Sequence, residues 1–334
     1  MPVEPFGPSS RGPVQKIVLG SPPGPVLEVL DLGATVHRLW LTGGDGVRRN
    51  VVLGHATAEE YLTSKDYVGA TVGRYANRIR GASFELDGQT VHLAPNEGDN
   101  QLHGGPVGFD KQVWEVVEHG RDIATLRLVS PAGDQGFPGT VNAQARFVVH
   151  DDALRIVLTA TTDAPTVVGL TSHAYLNLDG DGTGPVTDQL LRVNADEFVA
   201  VDDHGIPGQL TPVEGSPFDL RTPRPLGEVA EVDHCFAVTG DGEGLQVAAV
   251  LDSPSTRTRA ILVTDQPGLQ VYAGKGFDGS TTSATGTPYG PGAGVALEPG
   301  PYPDTPNRPD FGSAVLRPGE TYDSLIEWWF EAIL

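Results

Sequence analysis

The fold is decided by hairpin-forming stretches, and the clearest of these is residues 146–159, with the sequence RFVVHDDALRIVLT. Apolar and β-branched residues dominate 146–150 and 154–159, and Asp151-Asp152 separates the two runs. Two such runs on either side of a short polar turn predict a β-hairpin. A second hairpin is predicted around Asp87-Gly88, because this dipeptide between alternating apolar and polar residues is a strong turn signal.

Strand-like runs continue along most of the chain, whereas only residues 58–63 have a helical pattern. Further runs lie at 124–129, 190–201, 246–251, 259–264, 269–272 and 324–330. Many short strands, closely spaced turns and no alternation with long amphipathic helices predict an all-β, antiparallel β-sandwich and argue against a βαβ fold.

The composition bounds the domain organisation. A chain of 334 residues with 39% hydrophobic content can bury a large core. We find no linker, repeat or low-complexity tract that would divide it. The expected organisation is a Pro/Gly/Ser-rich N-terminal arm over residues 1–15, followed by a single β-sandwich domain over 16–334.

The charge balance disfavours whole classes of partner. Lys and Arg number 22 against 43 Asp and Glu, which gives a net charge of −21, and no basic cluster stands out. Nucleic acids and anionic membranes are therefore not expected as partners, because binding them depends on concentrated positive charge.

Cellular location is predicted from signals that are missing from the sequence. The N-terminal residues show no secretory pattern, and no stretch approaches the roughly 20 apolar residues that span a bilayer. Cys235 is the only cysteine, so no internal disulfide can form. These features predict the cytoplasm. Cys235 follows His234 and could be a nucleophile, although a small buried apolar residue is the more usual role.

Two proton-transfer candidates stand out. Alternation along residues 171–178 would place His173, Tyr175 and Asn177 on one strand face, which indicates a polar cavity. Glu298 follows the apolar residues 294–297, and partial desolvation there would raise its pKa and make it a better base. Pro299 is expected to end that strand.

Other polar side chains are suited to binding hydroxyl groups. Arg78, which follows Asn77, offers a planar fork of donors for vicinal hydroxyls or for a carboxylate. His103 precedes two glycines, where either a ligand approaches the backbone closely or the chain makes a simple turn. Asp233 can accept two hydroxyl hydrogen bonds.

Several other chemistries lose support. Residues 179–184 resemble the start of a calcium loop, but Leu190 occupies the position that requires a bidentate glutamate. The sequence also has no zinc-protease, paired-cysteine, nucleophile-elbow or phosphate-loop motif. We therefore expect neither a metal nor a cofactor.

The motifs, taken in order and spacing, resemble those of the aldose 1-epimerase (galactose mutarotase) family over residues 50–322. The matching segments are 50–54, 73–79, 103–105, 134–139, His173, Asp233, Gln270, 303–304 and 306–307.

The resemblance implies a large β-sandwich of the galactose mutarotase-like supersandwich type, with a cleft for a free galactose- or glucose-type hexose. It further implies Glu298 as the general base and His173 as the general acid that open and reclose the sugar ring. The implied hydroxyl-binding residues are Asn77, Arg78, His103, Asp233 and Gln270. This mechanism requires protonated His173, so the pKa of this residue should stay near its ordinary value of about 6.5.

Two residues depart from the family pattern. Gly300 stands two residues after the proposed base, where relatives usually have Gln, and Ser172 stands where Asn usually precedes the acid. Gly300 predicts a roomier cleft beside Glu298.

Three alternatives stay open at this point. A glycosidase could use Asp233 and Glu298 on either side of the scissile bond, and a non-catalytic relative would only bind sugar. An epimerase for phosphorylated hexoses would need an additional cationic cluster. The preferred aldose and the oligomeric state have no sequence signal.

Overall fold

The computed structural model describes residues 3–229, 231–240 and 244–333. Residues 1 and 2 of the predicted arm and residues 230, 241–243 and 334 of the predicted domain lie outside this part of the chain. The strands in chain order are β1 (Val3–Ser9), β2 (Gly12–Gly20), β3 (Val26–Leu30), β4 (Thr35–Thr42), β5 (Arg48–Asn50), β6 (Thr71–Val72), β7 (Arg78–Ile79), β8 (Ser83–Leu86), β9 (Gln89–His92), β10 (Gln101–Leu102), β11 (Glu115–His119), β12 (Ile123–Ser130), β13 (Val141–His150), β14 (Ala153–Thr162), β15 (Thr166–Val167), β16 (Thr171–Ser172), β17 (Tyr175–Leu176), β18 (Leu190–Val193), β19 (Ala195–Val201), β20 (Pro207–Pro212), β21 (Arg224–Pro225), β22 (Asp233–Val238), β23 (Gln246–Ser253), β24 (Thr258–Thr264), β25 (Gly268–Tyr272), β26 (Val295–Gly300), β27 (Val315–Leu316) and β28 (Tyr322–Ala332).

Helices are short. The predicted helix is confirmed as α1, Ala58–Thr63, where Thr57 caps the first turn and exchanges hydrogen bonds with Glu60. Short 3-10 helices lie at Arg80–Ala82, Phe109–Lys111, Asp134–Gly136, Leu226–Val229, Thr305–Asn307 and Pro309–Phe311. Among the residues that the structure describes, no helix has the length and apolar character needed to cross a bilayer.

Three large sheets carry the architecture. A nine-stranded sheet has the order β11-β12-β13-β14-β28-β24-β23-β18-β21, a six-stranded sheet has β17-β26-β25-β22-β19-β20, and a five-stranded sheet runs from β1 to β5. Neighbouring strands within these sheets are antiparallel. Both predicted hairpins are confirmed, with His150 opposite Ala153 in one and Leu86 opposite Gln89 in the other.

The sheets pack against one another around a shared apolar core. Phe147 comes from the nine-stranded sheet, Phe236 and Val271 from the six-stranded sheet and Leu27 from the five-stranded sheet, and all four are buried. Full burial of such a side chain stabilises the fold by about 1.5–3 kcal/mol. The prediction of an all-β antiparallel sandwich is confirmed.

The expected N-terminal arm is corrected, because residues 3–9 and 12–15 lie in strands of the five-stranded sheet and residues 10 and 11 form the turn between them. β1 pairs with β2, and β2 pairs with β3. Pro5 and Pro8 lie in β1, an edge strand, and Pro13 lies in the part of β2 that pairs with β1 alone; proline is tolerated where a strand has a neighbour on one side only. Val14 of β2 is buried. A single domain over residues 16–334 stays a prediction.

The centre of the six-stranded sheet positions the polar groups of interest. In the β25–β26 pair Gln270 lies opposite Glu298, and β17 flanks β26 on its other side. The strand does not end at Pro299 as expected but continues to Gly300. β17 pairs only with Val295 and Ala296, so Pro299 lies where β26 has a paired neighbour on one side only.

Candidate active site

A pocket of about 250 Å³ opens at this sheet, and all seven side chains proposed from the sequence line it. They are Asn77, Arg78, His103, His173, Asp233, Gln270 and Glu298. The strands that carry these side chains are distant in sequence. β7 and β10 form a separate two-stranded ladder, and their residues line the same pocket as residues of β22, β25 and β26.

His173 and Glu298 form a buried pair at the base of this pocket. Nε2 of His173 lies 3.5 Å from Oε1 of Glu298, and the side chains are 6% and 3% exposed. Burial raises the pKa of Glu298 well above its ordinary value, and the negative charge of Asp233 adds to this. Burial lowers the pKa of His173 to about 4. The expectation of an ordinary pKa for His173 is therefore wrong, because desolvation disfavours the imidazolium.

The backbone fixes the position of His173. Its N–H donates to the carbonyl of Ala70, and its carbonyl accepts from Gly69. The chain is irregular here, since β16 ends at Ser172 and β17 begins at Tyr175. The prediction that Asn177 shares a strand face with His173 and Tyr175 is therefore wrong. The Asn177 amide instead donates to the carbonyls of Gly184 and Ala293 in the protein interior.

The tautomer of His103 is set by its neighbour. The backbone N–H of Asn77 donates to Nδ1 of His103 at 3.1 Å. Burial lowers the pKa of His103 well below its ordinary value, with the nearby His173 and Arg78 adding to this effect. A neutral ring that accepts at Nδ1 carries its proton on Nε2. His103 can therefore offer a ring N–H to a ligand.

The tautomer of His103 determines whether this ring can be a metal ligand. Ligand atoms of His103, His173 and Glu298 lie within 4.8 Å of one another, which would permit a three-ligand site. However, a metal ligand needs a nitrogen lone pair, and the lone pair of His103 already accepts the Asn77 N–H. The donor set fits a metal poorly.

Arg78 is held by a carboxylate that the sequence analysis did not single out. Its Nε and one terminal nitrogen donate to the two carboxylate oxygens of Glu97 at 2.6 and 2.8 Å. Across the pocket, the amide of Gln270 donates to Asp233 at 2.7 Å. The site thus presents a fixed cation opposite an oriented carboxylate, and both can bind vicinal hydroxyls.

The glycines after His103 serve the turn and leave the backbone no room for a ligand there. The carbonyl of Gly73 lies so close to Gly104 that a Cβ there would clash with its oxygen, and Gly104 has φ +88°. Of the two possibilities left open by the sequence, the turn is correct. This close contact fixes the segment that carries His103 against the segment leading to Arg78.

Replacing Gly104 with alanine should therefore destabilise the protein strongly. Gly98→Ala is a matched control, because Gly98 also has positive φ but a Cβ added there would meet no atom within 4 Å. The left-handed conformation alone costs roughly 1–2 kcal/mol. We expect thermal unfolding of Gly104→Ala at a clearly lower temperature than that of Gly98→Ala. Equal melting temperatures would show that the Gly73 contact relaxes without cost.

Several motif residues hold the scaffold instead of lining the pocket. Arg74 is buried and donates to the carbonyls of Ser130, Pro131 and Pro138. Asp304 accepts from the backbone of Arg80 and from the amide of Asn307. Cys235 is buried and burial raises its pKa, as expected for a residue with an apolar role.

Pocket residues other than Glu97 were also missed by the sequence analysis. Tyr67, Tyr272 and Lys275 line the pocket, and the Tyr67 ring lies 4.6 Å from the ring of His103. Glu97 was detectable as an acidic residue in the polar turn before the His103 motif. The other three had no local signal, because tyrosine and lysine are common in strands and loops.

Comparison with known proteins gives a consistent result over the chain. The family description "Aldose 1-epimerase" matches residues 15–329. Aldose 1-epimerase of Escherichia coli K12 is 38% identical, over 96% of this chain and 96% of its own length. Human galactose mutarotase is 36% identical, over 97% and 95%.

Solved structures agree with these sequence matches. A GalM/aldose epimerase homologue from Caenorhabditis elegans superposes with a TM-score of 0.91 at 31% identity, covering 96% of this chain and all of its own. Galactose 1-epimerase from Lactobacillus acidophilus gives 0.85 at 28% identity, covering 99% of this chain and 98% of its own.

Proposed function

Because the chain belongs to the aldose 1-epimerase family, we propose that it interconverts the α and β anomers of a free galactose- or glucose-type hexose. The observation that carries the proposal is the buried His173–Glu298 pair, 3.5 Å apart, in a pocket that Arg78, His103, Asp233 and Gln270 also line.

In the proposed reaction Glu298 accepts the proton of the C1 hydroxyl while His173 gives a proton to the ring oxygen. The C1–O5 bond breaks, its electron pair stays on O5, and C1 becomes an aldehyde. After rotation about C1–C2, O5 attacks the other face of the carbonyl. His173 then recovers its proton from O5 and Glu298 returns one to O1, so the reaction consumes nothing.

The low pKa of His173 and the high pKa of Glu298 fit this chemistry when the two act as one unit. Over a wide pH range the pair carries one proton in total, and either residue can hold it. The reactive arrangement, imidazolium with carboxylate, contains the same number of protons as the neutral arrangement. Its two charges offset each other at 3.5 Å.

Sugar hydroxyls would be bound by the remaining groups of the pocket. We assign Arg78, Asp233 and Gln270 to hydroxyls on the ring, and His103 to a sugar oxygen through its Nε2–H. Asn77 acts by fixing the His103 ring. This division leaves the C1 end of the sugar against the His173–Glu298 pair.

A free sugar suits the surroundings better than a phosphorylated one. An adjoining groove of about 740 Å³ carries six carboxylates against three Arg or Lys side chains. Two of the three cations are paired, Arg78 with Glu97 and Lys275 with Glu231. This charge balance would repel a phosphate. It also gives no support to a nucleic-acid partner, and we retain the cytoplasm as the proposed location.

Anomer exchange measured by NMR tests the proposal. We expect enzyme-dependent exchange between the C1 proton signals of α- and β-D-galactose or glucose, and weaker exchange for galactose 6-phosphate. Methyl α-D-galactoside has no C1 hydroxyl proton to remove and should be unchanged. Release of methanol from it would instead support the glycosidase alternative, and binding without exchange would support the non-catalytic one.

The pH dependence follows from the two pKa shifts. Below a pH of about 4 His173 takes up a second proton, and the pair loses its base. At high pH Glu298 loses the proton that burial had retained, and the pair loses its acid. We expect kcat/KM to be nearly flat through neutrality, with the acid limb near 4 and the alkaline limb well above the ordinary pKa of glutamate.

The profile should be measured with a check of folding at each pH. An acid limb near 6.5, the ordinary value for histidine, would contradict the account, because it would mean that His173 is not desolvated in the working enzyme.

Changing Arg78 to lysine should affect both binding and rate. An ammonium group cannot make the two-pronged contact with Glu97 and still face the sugar, so we expect kcat/KM to fall at least about tenfold. Glu97→Gln should give a smaller loss, mainly in KM. The adjacent, exposed Arg80 is the matched control, and Arg80→Lys should behave like the unmodified protein. Equal behaviour of both lysine variants would remove Arg78 from the site.

A further inference from the structure

A small niche of about 10 Å³ lies directly beside the proposed base. Thr171, Cys235, Gln270, Glu298 and Gly300 contribute to its walls. It adjoins the sugar pocket through Asn77, Gln270 and Glu298, which line both spaces. Gly300, where a roomier cleft is expected, lines this niche, whose volume suits one water molecule and is too small for a hydroxymethyl group.

Two of the residues that line the niche, Thr171 and Gln270, carry buried polar atoms that have no hydrogen-bond partner among the described residues, whereas Ala76 and three prolines give the rest of the wall an apolar character. Thr171 is 2% exposed and Gln270 is 8% exposed. The Thr171 hydroxyl and the side-chain carbonyl of Gln270 are both buried, and neither makes a hydrogen bond within the part of the chain that the structure describes. A buried polar atom left without a partner costs about 1–3 kcal/mol. Two such atoms around one niche indicate a bound polar molecule that satisfies them.

The sequence explains why the niche exists. Gly300 and Glu298 are two residues apart on β26, so both positions face the same side of the sheet. A Cβ at Gly300 would meet no atom within 4 Å. Glycine at this position leaves that edge of the niche without a side chain.

We propose that this niche holds one ordered water molecule and that Thr171 positions it to hydrogen-bond Glu298. The water accepts from the Thr171 hydroxyl and donates to the Gln270 carbonyl and to the Glu298 carboxylate. One water supplies two donors and satisfies all three groups. Thr171 then acts as a positioning residue, because it reaches the base through the water and does not touch the sugar.

Losing this donor would affect catalysis in a specific way. A hydrogen bond to the carboxylate favours its charged form, so its loss raises the pKa of Glu298 further. The inference rests on the proposed function, since the measured effect is on anomer exchange. It adds a residue and a bound water that the proposed mechanism alone does not require.

Three variants test the proposal. Thr171→Val removes the hydroxyl with little change of shape, Thr171→Ser retains it, and Gly300→Ala adds a methyl group at the edge of the niche without a clash. We expect Thr171→Val and Gly300→Ala each to lower kcat about tenfold, as for one hydrogen bond to a charged group, with little change in KM. Both should move the alkaline limb of the pH profile upward. Thr171→Ser should keep nearly full activity.

The double variant Thr171→Val, Gly300→Ala is decisive. Both changes remove the same water, so the double variant should be no slower than either single one. Losses that multiply would overturn the shared-water proposal. So would a normal rate and pH profile in folded Thr171→Val, or a large rise in KM for Gly300→Ala, which would mean that a sugar oxygen occupies the niche. An inactive unmodified protein would instead reject the proposed function itself.

Discussion

Glu298→Gln should retain its fold and its affinity for sugar but lose about 10²–10⁴-fold in kcat, the usual contribution of a general acid or base. The amide has the same size as the carboxyl group and fits the same space on β26. It cannot accept the C1 hydroxyl proton. The loss should therefore appear in kcat, with KM changed little, because the affected interaction is made only in the transition state.

The control for this variant is another buried glutamate. Glu28 lies in β3 of the five-stranded sheet, is 9% exposed and is not part of the pocket. Glu28→Gln should keep full activity. If folded Glu298→Gln turned over sugar at a rate close to that of the Glu28 variant, Glu298 would not be the base.

His173→Asn should cause a loss of similar size, about 10²–10⁴-fold in kcat. Asparagine retains a hydrogen-bond donor toward the ring oxygen but cannot transfer a proton to it. The acid limb of the pH profile near 4 should also disappear, because the group whose pKa is lowered to that value is gone.

His150 provides the comparison for the histidine variant. It lies in β13 of the nine-stranded sheet and contacts Glu327. His150→Asn should leave both the rate and the pH profile unchanged. An acid limb that persists in His173→Asn would assign that titration to another group.

The sequence was sufficient for features that depend on local chemistry. Residues 146–159 and the Asp87-Gly88 turn predict hairpins because strand propensity and turn geometry are encoded within a few residues. The capped helix α1 was detectable for the same reason. Glu298 after an apolar run correctly indicated a raised pKa.

Features that depend on long-range packing were not predictable in this way. The carboxylate that holds Arg78 comes from Glu97, and only the tertiary fold places this residue against it. The low pKa of His173 results from burial by several elements distant in sequence. Proline-rich residues 3–15 suggested an arm because a single sequence does not tell where an edge strand lies.

Gly104 and Gly300 show that the surroundings of a glycine depend on long-range packing and not on local sequence. Both glycines suggested space for a ligand. In the structure, Gly104 is required by the carbonyl of Gly73, whereas Gly300 lines a niche and a Cβ added there would meet no atom within 4 Å. The residue type is the same in both cases, and only the neighbouring backbone distinguishes close packing from a niche.

The central claim is that His173 and Glu298 interconvert sugar anomers by proton transfer alone. Its most direct test is the optical rotation of freshly dissolved α-D-galactose and α-D-glucose, followed with protein that has been dialysed against a chelator. The account predicts a decay to the same final rotation as in buffer, at a rate that rises with protein concentration and returns to the buffer rate in Glu298→Gln. A decay at the buffer rate for folded, unmodified protein across galactose, glucose, xylose and arabinose would contradict it.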